Sequence, residues 1–188
     1  MKIFVSGLIS SGKSTLSKRI GYEFGIAYAT SDQYLHVPAG KKKTVFNRED
    51  FRNFLSQNSS WVVEGIHVGM YHELVGENKP DLIVNLQIPN KTLCNAYKKR
   101  YSIAKHMYEN AIIDPESNII PELHYHPDCD ADKQFRKFIM ANKTIARFKT
   151  KYLRSKQTHE IPTITVRSYS AQQNVIEQIK QFQNTKTQ

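Results

Sequence analysis

The chain has 188 residues, enough for one domain with a full hydrophobic core, and 39% of them are apolar. Lys and Arg outnumber Asp and Glu by 27 to 17, and the net charge of +10 favours anionic partners. Two cysteines exclude a disulfide scaffold, and no apolar run reaches the ~18 residues of a membrane span, so we expect a cytoplasmic protein without a membrane segment.

The N-terminal part combines a strand, a glycine loop and a helix. Lys2–Val5 reads as a short apolar strand, and the loop GLISSGKS follows over Gly7–Ser14. A helix is expected to begin at about Lys13 and to end at Gly25. One face of this helix is marked by apolar residues four positions apart: Leu16, Ile20 and Phe24.

The next segments continue the alternation of strands and helices. Ile26–Ala29 is a second short strand, and a loop with three consecutive lysines, Lys41–Lys43, follows it. Asn47 is placed to cap a helix over residues 48–57, whose acidic first turn suits the helix dipole. The third strand, WVVEG, begins at Trp61, which we expect in the core, and a short helix is predicted over Gly69–Val75.

The second half ends in the same alternating pattern. The almost continuously apolar start of Asp81–Pro89 indicates a strand covered on both faces, and a helix follows from Lys91 to about His106. Met107–Asp130 has no clear period, whereas Asp132–Arg154 is helical. TITVR is the fifth strand, and Ser170 with Gln173 forms a capping-box pattern before a last helix. This alternation predicts an α/β fold with a five-stranded parallel sheet and helices on both faces, in one domain spanning residues 1–188.

The glycine loop matches G-x-x-x-x-G-K-S, in the strand-to-helix context that the motif requires. Its backbone N–H groups can enclose a phosphate at the positive end of the following helix. The Lys13 ammonium can reach the β- and γ-phosphates, and the Ser14 hydroxyl can ligate Mg²⁺. We therefore expect ATP and Mg²⁺ as cofactors. The expected cofactor-binding residues are Gly7, Ser10, Ser11, Gly12, Lys13, Ser14 and Thr15.

Acidic side chains follow two strands at the edge where α/β proteins bind ligands. Asp32, after the second strand, is a candidate to orient an acceptor or take its proton, with a local turn or helix cap as its alternative role. Glu64, at the end of the third strand, is a candidate to hold Mg²⁺ or position the attacking group, unless it is an exposed strand-end charge.

Phosphoryl transfer also needs cations around the migrating group. The arginine candidates are Arg100, Arg136, Arg147 and Arg154, of which Arg100 and Arg147 enter the predicted catalytic set with Lys13, Asp32 and Glu64. The segment HYHPDCD, His124–Asp130, invites a metal hypothesis, but its ligand spacing is not that of a standard zinc site and favours a loop.

Several stretches resemble the small P-loop kinases related to adenylate kinase, and most nearly the branch called DNA-topology-modulation proteins. These stretches are the N-terminal glycine loop, SDQYL, REDFRNFLSQNSSWVVEG, DLIVNLQIPNKTLCNAYKKR, FRKFI and TITVRSYSAQQNVIEQI. The chain lacks the Asp-Gly-Phe-Pro-Arg string and the four-cysteine lid of adenylate kinases, which weakens an AMP-specific assignment.

The resemblance implies a three-layer α/β/α P-loop kinase fold with strand order 2-3-1-4-5. It places Asp32 in the acceptor pocket, Glu64 near the metal or acceptor, and Ser168–Gln172 near the adenine. Arg100 would begin a mobile lid, inserted over about residues 101–146 and completed at about Arg147.

Three functions remain open from the sequence. The first is transfer of the ATP γ-phosphate to a small acceptor, with a (deoxy)nucleoside monophosphate as the first candidate. The second is a kinase of a hydroxyl acceptor, on a nucleoside, a sugar or a nucleic-acid end, for which Asp32 suits the role of general base. The third is a nucleic-acid-associated P-loop ATPase, which the charge of +10 and the triple lysine suggest.

Overall fold

A computed structural model describes residues 1–36, 45–112, 125, 127 and 130–186. Its main sheet is parallel and five-stranded, and the alternating pattern of the sequence accounts for it. The strands of this sheet are β1 (Lys2–Gly7), β2 (Ala27–Thr30), β5 (Trp61–Glu64), β6 (Leu82–Leu86) and β7 (Thr163–Val166).

The strand order in this sheet is β2-β5-β1-β6-β7. Counted along the chain among these five strands, that order is 2-3-1-4-5, as expected. Two further strands, β3 (Leu35–His36) and β4 (Val45–Phe46), form a separate antiparallel pair that the sequence analysis did not predict.

Helices cover both faces of the sheet. They are α1 (Lys13–Phe24), α2 (Arg48–Gln57), α3 (Val68–Glu73), α4 (Asn90–Glu109), α5 (Ala131–Leu153) and α6 (Val175–Lys186). One face packs against α1 and α6 through residues such as Ile20 and Ile179, and the other packs against α2 and α3 through residues such as Phe51 and Met70. The predicted three-layer α/β/α class is confirmed, and Trp61 is fully buried as expected.

Local capping explains several helix boundaries. The Asn47 side chain accepts a hydrogen bond from the backbone N–H of Asp50 at the start of α2, as predicted. The predicted capping box of Ser170 and Gln173 is wrong: these residues lie inside a 3-10 turn, Ser170–Asn174, whose cap residue is Tyr169. The serine that bonds the backbone there is Ser168, whose hydroxyl accepts from Ala171 N–H at 3.1 Å.

The registers bring the candidate residues to one edge of the sheet. Glu64 lies beside Thr30 on one side and Val5 on the other, while Gly7 lies beside Leu86, which is next to Val166. Because all five strands are parallel, their carboxyl ends share this edge. The glycine loop, the turn with Asp32 and the segment after β7 therefore leave the sheet side by side.

Candidate active site

The glycine loop has the backbone that a phosphate cradle requires. Ser10 and Gly12 both have positive φ, 65° and 85°, a conformation that glycine adopts without strain. A Cβ atom on Gly7 would lie 2.4 Å from the Ser11 hydroxyl oxygen, so only glycine fits there. Gly12 then caps α1, which begins at Lys13 as predicted, and the positive end of that helix faces the loop.

Two hydroxyl groups in the glycine loop are available to bind an anion. The hydroxyls of Ser10 and Ser11 are buried and have no hydrogen-bond partner within the part of the chain that the structure describes. A buried hydroxyl without a partner is costly, and phosphate oxygens would supply the missing bonds. The residues of the loop therefore fit a nucleotide phosphate chain.

Lys13 is folded onto its own loop. Its ammonium donates a hydrogen bond of 2.8 Å to the Leu8 carbonyl, and the residue is 8% exposed. Burial lowers its pKa, although the nearby carboxylates of Glu64 and Asp32 raise it, and Arg100 lowers it further. A triphosphate would replace the carbonyl as partner and favour the charged amine.

Glu64 is a buried carboxylate, 3% exposed, so the alternative of an exposed strand-end charge is wrong. The Ser14 hydroxyl donates to Glu64 Oε1 at 2.8 Å. Tyr28 lies on the same side, and burial with the charges of Glu64 and Asp32 raises the pKa of its hydroxyl. A hydroxyl beside a carboxylate is an oxygen donor set of the kind Mg²⁺ prefers, so these residues fit the metal.

Asp32 lies in a 3-10 turn, Ser31–Tyr34, that directly follows β2. The Thr30 hydroxyl and the Gln33 side chain form a capping box around this turn, and Ser31 Oγ donates to Asp32 Oδ1 at 3.3 Å. A Cβ on Gly65 would lie 2.2 Å from Ser31 Oγ, so the turn packs directly against the end of β5. This contact places the exposed Asp32 carboxylate near Lys13 and Glu64.

The two arginines of the predicted catalytic set have different surroundings. Arg100, on α4, is half-buried, and burial lowers the pKa of its guanidinium while the Tyr169 hydroxyl raises it. It also lies close enough to Lys13 to lower the pKa of that lysine. Arg147 is exposed on α5, and among the described residues it has no hydrogen bond or ion pair, so its catalytic role stays a prediction.

A lysine that the sequence analysis missed faces the cradle from α5. Lys149 donates to the side-chain oxygen of the buried Asn85, on β6, at 3.1 Å. Burial and the charge of Lys13 both lower the pKa of Lys149. Lys149 is two residues from Arg147 in the sequence. Because each residue of a helix adds about 100° of rotation, the two side chains lie on opposite sides of α5.

Long-range contacts also hold the loop in place. The Asn142 side chain, on α5, accepts from Ile9 N–H at 2.8 Å. After β7, the Tyr169 hydroxyl donates to the Ser10 carbonyl, and Gln172 Nε2 donates to the Ser11 carbonyl at 2.9 Å. The segment Ser168–Gln172 thus contacts the glycine loop, while its expected place near an adenine stays a prediction.

Two sequence hypotheses fall largely outside the described residues. Lys41–Lys43 is not described, and within HYHPDCD the structure describes Tyr125, Pro127 and Asp130 but neither histidine nor the cysteine. In the described ranges, no group of three His, Cys, Asp or Glu side chains is placed to hold a metal ion. No helix in those ranges is both long and apolar enough to cross a membrane.

Comparison with known proteins finds similarity in structure alone. No family model matches the chain, and no curated protein matches it in sequence. The shikimate kinase from Acinetobacter baumannii in complex with shikimate aligns with a TM-score of 0.51 and 13% identity, over 98% of this chain and 93% of that one. The chain therefore shares the α/β fold of that kinase, with its parallel sheet.

A second solved structure, the shikimate kinase from Bacteroides thetaiotaomicron, aligns with a TM-score of 0.48 and 12% identity, over 97% of each chain. At 13% identity the Acinetobacter structure supports the predicted fold class, with its parallel sheet and P-loop. The nearer resemblance to the DNA-topology-modulation proteins stays a prediction.

Proposed function

We propose that the chain is a P-loop kinase that transfers the γ-phosphoryl group of ATP to a small acceptor. The observation that carries this proposal is the Ser14–Glu64 pair beside the glycine loop, with Lys13 bonded to that loop and Lys149 held at the same sheet edge by Asn85. Preorganised cations are what a phosphoryl transition state needs, since its charge spreads over the equatorial oxygens. The whole chain would act as one domain, with the end of α4 and most of α5 inside a lid over about residues 101–146.

In the proposed reaction, the bond between the γ-phosphorus and the β,γ-bridging oxygen breaks as an acceptor oxygen bonds to the γ-phosphorus. ADP leaves with the bridging oxygen, and Lys13, Arg100 and Lys149 offset the developing charge. Ser14 and Glu64 would hold Mg²⁺, which supplies additional positive charge at the β- and γ-phosphates. Closure of the lid would exclude water, which otherwise competes with the acceptor.

In this proposal the acceptor binds beyond the γ-phosphate, between Asp32 and Glu64. A (deoxy)nucleoside monophosphate is the first candidate, supported by Arg48 at the start of α2. Burial lowers the pKa of the His67 imidazole, the charge of Arg48 lowers it further, and the charge of Asp32 raises it. The Arg48 side chain is 55% exposed, and its Nη1 atom lies 4.0 Å from Glu73 Oε1. Because this ion pair is long and the side chain is exposed, Arg48 can still contact an anionic acceptor.

A hydroxyl acceptor is the second candidate, and Asp32 favours it. The exposed carboxylate lies near both Lys13 and Glu64, where it could take the proton of an attacking hydroxyl. A phosphate acceptor is already ionised and needs no such base. The nucleic-acid-associated ATPase has no support from the geometry of this pocket.

The test is a coupled assay of ADP release over nucleoside monophosphates, nucleosides and small alcohols, with wild type and Asp32→Asn. A nucleoside monophosphate acceptor predicts a change in turnover of less than tenfold in the variant. A hydroxyl acceptor predicts a loss of about 10²–10⁴-fold with ATP affinity unchanged. ATP consumption that no acceptor in the panel increases would contradict the kinase proposal.

A further inference from the structure

The net charge of the chain is concentrated in two helices. Together α4 and α5 carry twelve of the 27 Lys and Arg side chains and two of the 17 Asp and Glu, so their charge equals the whole net charge of +10. The rest of the chain is neutral in sum. Such an asymmetric distribution indicates an anion-binding surface rather than a generally charged one.

In α5 six of the seven cations fall on one side. At 100° per residue, six of them lie within an arc of about 120° opposite the buried residues of the helix. We call this surface the α5 basic face, and its cations are Lys133, Arg136, Lys137, Lys143, Arg147 and Lys151, all exposed. It extends about 27 Å along the helix, and the one acidic residue of α5, Asp132, lies in the first turn.

The basic face points away from the ATP cradle. Lys149, the cation of α5 that bonds Asn85 near the cradle, lies on the opposite side of the helix. Lid closure over a triphosphate needs cations on the inner side, so it does not account for six on the outer side. The basic face therefore calls for a second anionic partner, one that is long enough to contact six charges in a row.

We infer that the α5 basic face binds the phosphate backbone of nucleic acid. Two apolar side chains are exposed among the cations, Met140 at 62% and Phe148 at 39%, and such groups can pack against sugars and bases. An anionic membrane fits less well, because the larger apolar residues of α5, such as Phe138 and Ile145, are buried in the core and do not face outward.

The test is fluorescence anisotropy with a labelled 20-base-pair duplex, with and without saturating Mg-ATP and over a range of salt. Six phosphate contacts predict a slope of about −5 for log K against log salt. The variant Lys133→Gln/Arg136→Gln/Lys151→Gln keeps good helix formers and should reduce the slope to about −3 and weaken binding more than tenfold at low salt. The matched control Arg19→Gln/Lys156→Gln/Arg167→Gln removes the same charge from exposed positions outside the face and should bind as the wild type does.

Four results would overturn the inference. They are no binding at 50 mM salt, equal losses in both triple variants, displacement of the duplex by Mg-ATP, and tighter binding to phosphatidylserine vesicles than to the duplex with the same dependence on the face. Circular dichroism and thermal melts of both variants show whether a loss of binding reflects unfolding. The inference does not rest on the proposed kinase activity. The acceptor assay measures turnover at the ATP cradle, whereas the anisotropy experiment measures binding to the opposite side of α5.

Discussion

At the scale of the residue, the position and charge of Lys149 bear on ligand binding at the candidate site. Its ammonium is held in place by Asn85, and burial with the charge of Lys13 lowers its pKa. Two neighbouring cations in a partly buried site are unfavourable without a ligand. Binding of a triphosphate relieves that repulsion, which is a physical reason for placing a second lysine there.

The pH profile of Lys149→Arg tests this role. Lysine is charged below its pKa, so a lowered pKa means that Lys13 and Lys149 lose their charge at pH values below the usual 10.5. We predict that log kcat/KM for ATP falls on the alkaline side with a slope approaching −2 in wild type. The slope should be −1 in Lys149→Arg, because arginine stays charged. Lys151→Arg on the outer side of α5 is the control, and an identical profile in all three proteins would contradict the role.

The second prediction at the scale of the residue concerns Glu64 and magnesium. Replacement of the carboxylate by Gln keeps a group that can accept from Ser14 but removes the charge. The Mg²⁺ concentration for half-maximal turnover should rise by about 10–100-fold in Glu64→Gln. Glu160→Gln, at a side chain 76% exposed, should leave it unchanged. An unaltered requirement in Glu64→Gln would exclude Glu64 from the metal site.

At the scale of the element, α5 serves as a support for the glycine loop. The Asn142 side chain, on the buried side of the helix, accepts the 2.8 Å hydrogen bond from Ile9 N–H. Near the end of α5, the Tyr152 hydroxyl donates to the Leu74 carbonyl at 2.9 Å, which ties the helix to the segment after α3. The helix therefore links the glycine loop to the segment after α3.

Removal of the Asn142 contact should weaken this support. Asn142→Ala leaves a partly buried N–H without its partner, so the free energy of unfolding should fall by about 1–3 kcal/mol in urea titrations. Thr144→Ala, at an exposed position of the same helix, should change it by about 0.5 kcal/mol or less. Equal destabilisation by the two substitutions would mean that Asn142 does not hold the loop.

The elements also show which parts of the site a sequence can reveal. The glycine loop, the Asn47 cap and the strand order depend on local patterns or on a resemblance that spans the chain, and all were predicted. Asn142 and Tyr169 contact the loop from more than 130 positions away, and no local pattern distinguishes them from surface residues. Lys149 bonds Asn85, which is 64 positions away in the sequence. Helical phase gave one signal: Lys149 alone among the α5 cations lies on the apolar side of the helix.

At the scale of the whole molecule, the glycine loop, α4, α5 and the segment after β7 meet at one edge of the sheet. A ligand bound there contacts elements that are distant in the sequence, so it should stabilise the entire fold. Mg-ATP at 100 times its Kd should add about 2.7 kcal/mol to the free energy of unfolding, measured by thermal melting. Melting that is unchanged by Mg-ATP would show that the nucleotide does not bind the native fold.

The central claim is that the glycine loop and Lys13 hold a nucleotide triphosphate, and calorimetric titration with Mg-ATP tests it most directly. Lys18→Ala, at an exposed position further along α1, is the matched control and should bind as wild type does. Loss of a charge-assisted contact worth about 1.5–3 kcal/mol predicts that Lys13→Ala binds Mg-ATP about 10–150-fold more weakly than wild type. Equal affinity of Lys13→Ala and wild type would contradict the account.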